Sequence, residues 1–154
     1  MLNVCVKQWY ENKELLKDAL ENDRDLEDRE YKDLVKLVIK YVINPGLPDA
    51  EYNGLWDYTR ITEIDEGNYQ GTLLYLIPRE TYQPNFDDYL ITYVDYGSCT
   101  VCDTLKNIRA CADAVSKEKT IKSYLDLCRN IVQRITTPRG SGLENNENYK
   151  TRKY

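Results

Sequence analysis

An α+β domain, built as a three-stranded antiparallel sheet with two N-terminal and two C-terminal helices in the order ααβββαα, is the fold the sequence predicts. Apolar residues recur at helical spacing from Trp9 to Val42. Short runs rich in Thr, Tyr, Ile and Leu, broken by turn residues, follow from Tyr58 to Tyr96, and helical spacing returns from Leu105 to Ile135. The chain holds no internal repeat, so the helices are expected to cover one face of the sheet. Its 154 residues have room for one such domain, which can bury a core without disulfide staples. Residues 1–136 are assigned to it and residues 137–154 to a flexible polar tail.

The first helix places Trp9, Leu15, Leu16, Ala19 and Leu20 on an apolar stripe. The second does so with Tyr31, Leu34, Val35, Val38, Ile39 and Val42. Asn44-Pro45-Gly46 and Pro48 stop the second helix, because proline offers no N–H to the helical ladder. Arg60–Ile64, Gly71–Ile77 and Tyr89–Tyr96 read as strands, with Asp65-Glu66-Gly67-Asn68 as the first reversal and Pro78–Asp87 as a longer connection. Leu105, Ile108, Ala112 and Val115 then continue one helical face. The last helix carries Ile121, Tyr124, Leu125, Cys128, Ile131, Val132 and Ile135, the most regular stripe of the chain. From Thr136 the composition turns to Pro, Gly, Ser, Asn and charge, which buries too little apolar surface to order a tail.

Charged residues at 31% against 42% hydrophobic residues are proportions of a globular chain, and no apolar run approaches the roughly eighteen residues of a membrane span. Met1-Leu2-Asn3-Val4-Cys5-Val6-Lys7 lacks the layout of an export signal, so a cytoplasmic protein with reduced thiols and no membrane partner is expected. Histidine is absent, which removes Ser–His and Cys–His dyads and the commonest nitrogen ligand of zinc. Neither Gly-x-Gly-x-x-Gly nor Gly-Lys-Ser/Thr occurs, and nothing among the 26 acidic residues singles out a pair for glycoside hydrolysis. No complete catalytic constellation results.

A net charge of −5 disfavours nucleic-acid phosphates and favours a basic protein partner. Fourteen tyrosines against one Phe supply aromatic area with polar tips, which suits an interaction surface, although tyrosines rimming a core would give the same count. Two candidate binding groups stand out. Asp23, Asp25, Glu27 and Asp28 crowd a stretch where a phosphate mimic or a hard-cation site is conceivable, but Arg24 and Arg29 interrupt it and the central glycine of a calcium loop is missing; a solvated helix–helix connection is the simpler reading. Tyr89, Tyr93 and Tyr96 lie on one strand, where acidic surroundings argue against base stacking and for a protein partner.

The stretch Tyr93-Val94-Asp95-Tyr96-Gly97-Ser98-Cys99-Thr100-Val101-Cys102-Asp103 runs a strand into a Cys-x-x-Cys pair at the start of a helix, where the helix dipole would lower a thiol pKa. Three readings are open. The order strand, Cys-x-x-Cys, helix resembles thioredoxin, which implies a redox dithiol, but two helices follow where that fold needs strands, and Pro138 comes too late for its cis-proline segment. Cys99 and Cys102 completed by Cys111 and Cys128 would make a closed four-thiolate zinc site, although the last two are not paired in sequence. The simplest reading is structural and needs no cofactor: Thr100 and Asp103 form a capping box, Gly97 supplies an unusual backbone shape, and Cys111 and Cys128 pack as small hydrophobes.

The decapeptide from Tyr96 to Leu105 resembles small uncharacterised proteins of bacteriophages and mobile elements that carry a Tyr-Gly-Ser-Cys-x-x-Cys-Asp-x-Leu stretch. That resemblance implies a phage-type accessory protein acting in the host bacterial cytosol. In this class small acidic, non-enzymatic inhibitors of host defence nucleases, such as anti-CRISPR proteins, are common. No residue role carries over. The expectation is a non-catalytic protein that binds and inhibits a basic, nucleic-acid-handling host protein.

Overall fold

The computed structural model describes residues 2–47, 55–68 and 70–138; the predicted tail lies outside them from residue 139 on. The described residues hold the expected order, ααβββαα. Helix α1 spans Leu2–Glu21, α2 Tyr31–Val38, β1 Thr62–Gly67, β2 Gly71–Pro78, β3 Tyr89–Tyr96, α3 Thr104–Cys111 and α4 Lys117–Gln133.

Helix α1 buries Cys5, Trp9, Leu16 and Leu20. Leu15, expected on the stripe, is 47% exposed, because it lies about 100° round the helix from Leu16. A short turn, Leu26–Asp28, anchored by buried Leu26, reverses the chain into α2. Asp33 Oδ2 accepts the N–H of Glu30 at 2.9 Å and so fixes the start of that helix. Tyr31, Leu34, Val35 and Val38 face inward, and the helix then widens into a π turn, Ile39–Ile43, whose Ile39, Val42 and Ile43 are buried.

That widening leaves carbonyls without helical partners, and Pro45 ends the ladder as expected. Side chains of neighbouring elements take over. Asn12 Nδ2 donates to Val42 O at 2.9 Å and Gln8 Nε2 to Ile43 O at 3.4 Å. Asn44, itself buried, donates from Nδ2 to Trp56 O and accepts from Trp56 N–H, each at 3.0 Å, as a neighbouring strand would. One amide thus joins the end of the helical half to the start of the sheet.

The sheet is an antiparallel meander in the order β1-β2-β3. Strand β1 runs to Gly67, which pairs with Gly71, so Asp65, Glu66 and Gly67, expected in the turn, belong to the strand. The carboxylates that resemble turn chemistry are held in the strand by tyrosine hydroxyls: Tyr75 donates to Glu63 at 2.8 Å and Tyr96 to Asp65 at 2.6 Å. A Cβ on Gly67 would stand 2.5 Å from Gln70 O and 2.8 Å from the Gly71 Cα, so the hairpin closes only around glycine.

Along β3 Leu90, Thr92 and Val94 are buried and alternate with Tyr89, Ile91 and Tyr93. The buried row faces α4, since the Thr92 hydroxyl donates to Ile131 O at 2.9 Å. Helix α4, capped by Ser116 Oγ accepting from Lys119 N–H, buries Ile121, Tyr124, Leu127, Cys128, Ile131 and Val132 against the sheet and α1. Helix α3 is shorter than expected. It ends at Cys111, and Val115 beyond it is 40% exposed rather than on its apolar face. Thr136, the last residue assigned to the domain, pairs with Ile91 through two 2.8 Å hydrogen bonds on the β3 edge of the sheet.

Asn44→Ala deletes both bonds to Trp56 and strands a buried N–H and C=O. Urea unfolding is expected to show a loss of about 2–4 kcal/mol, against under about 1 kcal/mol for Asn68→Ala in the exposed hairpin turn.

Candidate functional site

The turn that joins β3 to α3 is built around one carboxylate. Asp103 is 4% exposed; its Oδ1 accepts the Tyr31 hydroxyl at 2.7 Å and the Lys106 N–H at 3.1 Å, and its Oδ2 accepts the Gly97 N–H at 3.0 Å. The Tyr31 oxygen in turn accepts the Leu105 N–H at 3.0 Å. Asp103 is therefore the N-cap of α3. The capping box expected from Thr100 to Asp103 is corrected: the helix begins at Thr104, and Thr100 lies exposed in the turn before it. Burial acts to raise the Asp103 carboxyl, but the bonds from Tyr31, Gly97 and Lys106 outweigh it and hold the group below the usual carboxylate range. Burial, followed by the bond to Asp103, pushes the Tyr31 phenol well above its ordinary value.

Above this anchor the chain loops once. Asp103 N–H donates to Cys99 O at 3.0 Å, and the Lys106 ammonium donates to Gly97 O at 3.1 Å. Gly97 is required by close approach, because a Cβ there would stand 2.6 Å from both the carbonyl oxygen and the Sγ of Cys102. The loop brings the two sulfurs of Cys99 and Cys102 to 2.7 Å, with Cys102 Sγ also accepting the Cys99 N–H at 3.2 Å. Both residues are exposed, so packing does not explain them. The thiol bond from Cys99 and then its N–H hold the Cys102 thiol below its ordinary pKa. The pair precedes the helix rather than lying on its first turn, so these local bonds supply the effect expected from the helix dipole.

The other cysteines are placed apart from this turn in chemistry. Cys128 is fully buried on α4 and its thiol is pushed up to about 12 by burial; Cys5, buried on α1, is pushed up to about 11 for the same reason. Cys111 is exposed at the end of α3, not packed as expected. Cys128 fills core, as expected. Among the described residues no three Cys, Asp or Glu side chains cluster so as to hold a metal ion, so Cys99 and Cys102 are brought together without Cys111 and Cys128.

The acidic run lies on the connection between α1 and α2. Asp23 is used internally: Arg29 grips it through Nε at 2.9 Å and Nη2 at 3.0 Å, which keeps its carboxyl low, and Asp25 N–H also donates to it. Asp25, Glu27 and Asp28 are exposed. Glu27 lines a shallow groove of about 370 Å³ in which Glu21 and Asp23 also face the cations of Arg24 and Lys117. The tyrosines divide between two faces. Tyr89 and Tyr93 stand on the sheet face turned away from α4. Tyr96 stands on the other, where its bond to Asp65 raises the phenol to about 12.

Sequence reasoning singled out Tyr93 but missed the apolar strip of β1 and β2 beside it. The rows Thr62–Leu76–Ile91 and Ile64–Leu74–Tyr93 cross the outer face of the sheet, partly exposed, with Glu66, Thr72 and Asp95 in the next row. Arg134 crosses the edge of the sheet to lie over the Tyr93 ring at 4.7 Å and 3.9 Å from Asp95. On the edge strand Glu63, Asp65 and Glu66 are exposed with no cation in the strand. The signal was legible in β2, whose unbroken Leu73-Leu74-Tyr75-Leu76-Ile77 run makes both faces apolar. Among the described residues no helix is long and apolar enough to cross a membrane.

Comparison of the chain with protein-family models, with curated proteins and with solved structures gives no match in any of the three.

Asp103→Asn turns one acceptor into an NH2 group that must face the N–H of Gly97 or of Lys106, with an expected cost of about 2–4 kcal/mol at neutral pH. A carboxyl lowered by folding stabilises fully above its unfolded value near about 4 and loses that contribution as pH falls through the lower folded value. Urea midpoints measured from neutral pH downward should therefore converge for variant and parent in acid. A gap that stays constant with pH would remove the carboxylate from this role.

Proposed function

We propose that the protein is a phage-type accessory protein of the host bacterial cytosol that binds, and inhibits, a basic nucleic-acid-handling host protein such as a defence nuclease. The observation that carries this reading is the outer face of the sheet, where Ile64, Leu74, Leu76, Ile91 and Tyr93 form a partly exposed apolar strip bordered by Glu66 and by the Arg134–Asp95 pair. A flat apolar centre with a charged border is the anatomy of a protein interface. Negative charge on the edge strand and a net charge of −5 favour a cationic partner and oppose direct contact with nucleic acid. The resemblance of Tyr96–Leu105 to phage accessory proteins supports the choice of host defence enzymes as the partner class.

Of the residues first singled out, Tyr93 and Tyr89 belong to this surface. Asp25, Glu27 and Asp28 form a separate acidic rim on the helical side, while Asp23 and Tyr96 spend their polar groups on Arg29 and Asp65.

The test is complex formation with a panel of purified RNA-guided and restriction nucleases, followed by size-exclusion chromatography and calorimetry. A complex weakened about tenfold or more between about 50 and about 500 mM salt is expected. Leu74→Arg should abolish it without lowering the unfolding midpoint, since that side chain is partly exposed on the outer face. Failure to bind across the panel, or a complex indifferent to Leu74→Arg, overturns the proposal. A dimer of the chain alone, broken by the same variant, would assign the face to a second copy.

A further inference from the structure

We propose that Cys99 and Cys102 form a dithiol–disulfide couple that exchanges electrons with low-molecular-weight disulfides of the glutathione class. It stands on observations separate from the binding surface. The two sulfurs are 2.7 Å apart on an exposed turn, so forming a bond of about 2.05 Å closes a gap of only about 0.7 Å. The turn that holds them is anchored below by Asp103 and Lys106, at Gly97, at Cys99 O and at the first turn of α3. Ring closure therefore orders little that is not already ordered, and the entropy lost on oxidation is small.

The exchange runs in two steps. The Cys102 thiolate, stabilised by the Cys99 N–H and thiol, attacks one sulfur of the incoming disulfide RSSR; a Cys102–SR bond forms, the S–S bond of RSSR breaks, and RS⁻ leaves with its electron pair. The Cys99 thiol then gives up its proton and its sulfur attacks Cys102 Sγ. The Cys99–Cys102 bond forms, the second RS⁻ leaves, and the two thiolates take up the two protons released by the protein. The balance is one dithiol oxidised by two electrons and one RSSR reduced to two RSH.

The other cysteines mark the contrast. Cys5 and Cys128 are buried with raised thiol pKa values, so water-borne disulfides do not meet a thiolate there. Cys111 is exposed and serves as the internal reference for an ordinary surface thiol.

The experiment equilibrates the full chain with mixtures of reduced and oxidised glutathione, quenches in acid, alkylates the remaining thiols and reads the mass of intact and digested protein. One internal disulfide is expected, seen as the loss of two hydrogens and mapped to the peptide containing Cys99 and Cys102. Cys99→Ser, whose hydroxyl can replace the thiol as donor to Cys102 beside the retained N–H of residue 99, is expected to trap glutathione on Cys102 about tenfold faster than on Cys111, whereas Cys102→Ser leaves Cys99 reacting at the rate of Cys111. Circular dichroism of both variants should match the parent, because neither side chain is in the core. Glutathione accumulating on the parent at Cys99 or Cys102 without ring closure overturns the proposal. So does equal reactivity of the two single variants, or one zinc ion per purified chain released as these thiols are alkylated.

Discussion

A single buried carboxylate holds the two halves of the chain in register. Asp103 takes one hydrogen bond from the end of the sheet, one from the first turn of α3, and one from Tyr31 at the start of α2, seventy-two residues earlier. An unpaired carboxylate this deep would cost several kcal/mol, whereas three good donors make the charged form the stable one. The position therefore tolerates little besides Asp: the shorter side chains lack the second oxygen, and Glu would move both. Tyr31 acts as a relay, donating to Asp103 and accepting from Leu105, so that the α2–α3 junction is closed by polar groups where apolar packing alone would leave backbone N–H groups unpaired.

The same logic governs the other junctions. Asn44 joins the π turn to the segment before β1, and Gln8 and Asn12 of α1 cover the carbonyls that turn exposes. Thr92 reaches from β3 to Ile131 O near the end of α4. Each is an uncharged polar side chain, buried in Gln8, Asn44 and Thr92 and partly buried in Asn12, that bonds to the backbone of a neighbouring element. The apolar core supplies the bulk of the driving force, and these groups select one packing of helices on sheet among several that would bury similar area. On the opposite face of the sheet the polar links are exposed ones, Thr72 to Asp95 and Arg134 to Tyr93 O. Its apolar strip is left partly open to water.

Helix and strand order were readable because the apolar spacing switches twice, from helical to strand-like at Tyr58 and back at Leu105. What escaped were features set by contacts distant in sequence. Asp65 and Glu66 have the composition of a turn yet belong to β1, where the Tyr96 hydroxyl of β3 donates to Asp65 across the sheet. Asp103 looked like a helper of Thr100; its true donors, Gly97 and Tyr31, are fixed by the approach of β3 and α2, which no local pattern encodes. The clustering of Cys99 with Cys102 followed directly from their spacing. That Cys111 would be exposed did not, because it depends on where α3 stops, whereas the burial of Cys128 was readable from its place on the apolar stripe of α4.

The five cysteines show how one fold distributes one functional group among distinct chemistries. Burial without a partner raises the thiols of Cys5 and Cys128 and turns them into core-filling hydrophobes. Proximity and a backbone N–H lower that of Cys102 on a surface turn. In a chain that lacks histidine, groups able to move between charged and neutral forms near neutral pH are scarce, and a lowered thiol is one of the few ways to obtain one. The turn that provides it needs a glycine at position 97 to let Cys102 approach and a carboxylate at position 103 to keep the loop closed. The bonds from Gly97 and Lys106 to the Asp103 carboxylate, and from Asp103 N–H to Cys99 O, close the loop on which the two sulfurs meet, so the geometry of the thiol pair rests on the α2–α3 junction beneath it.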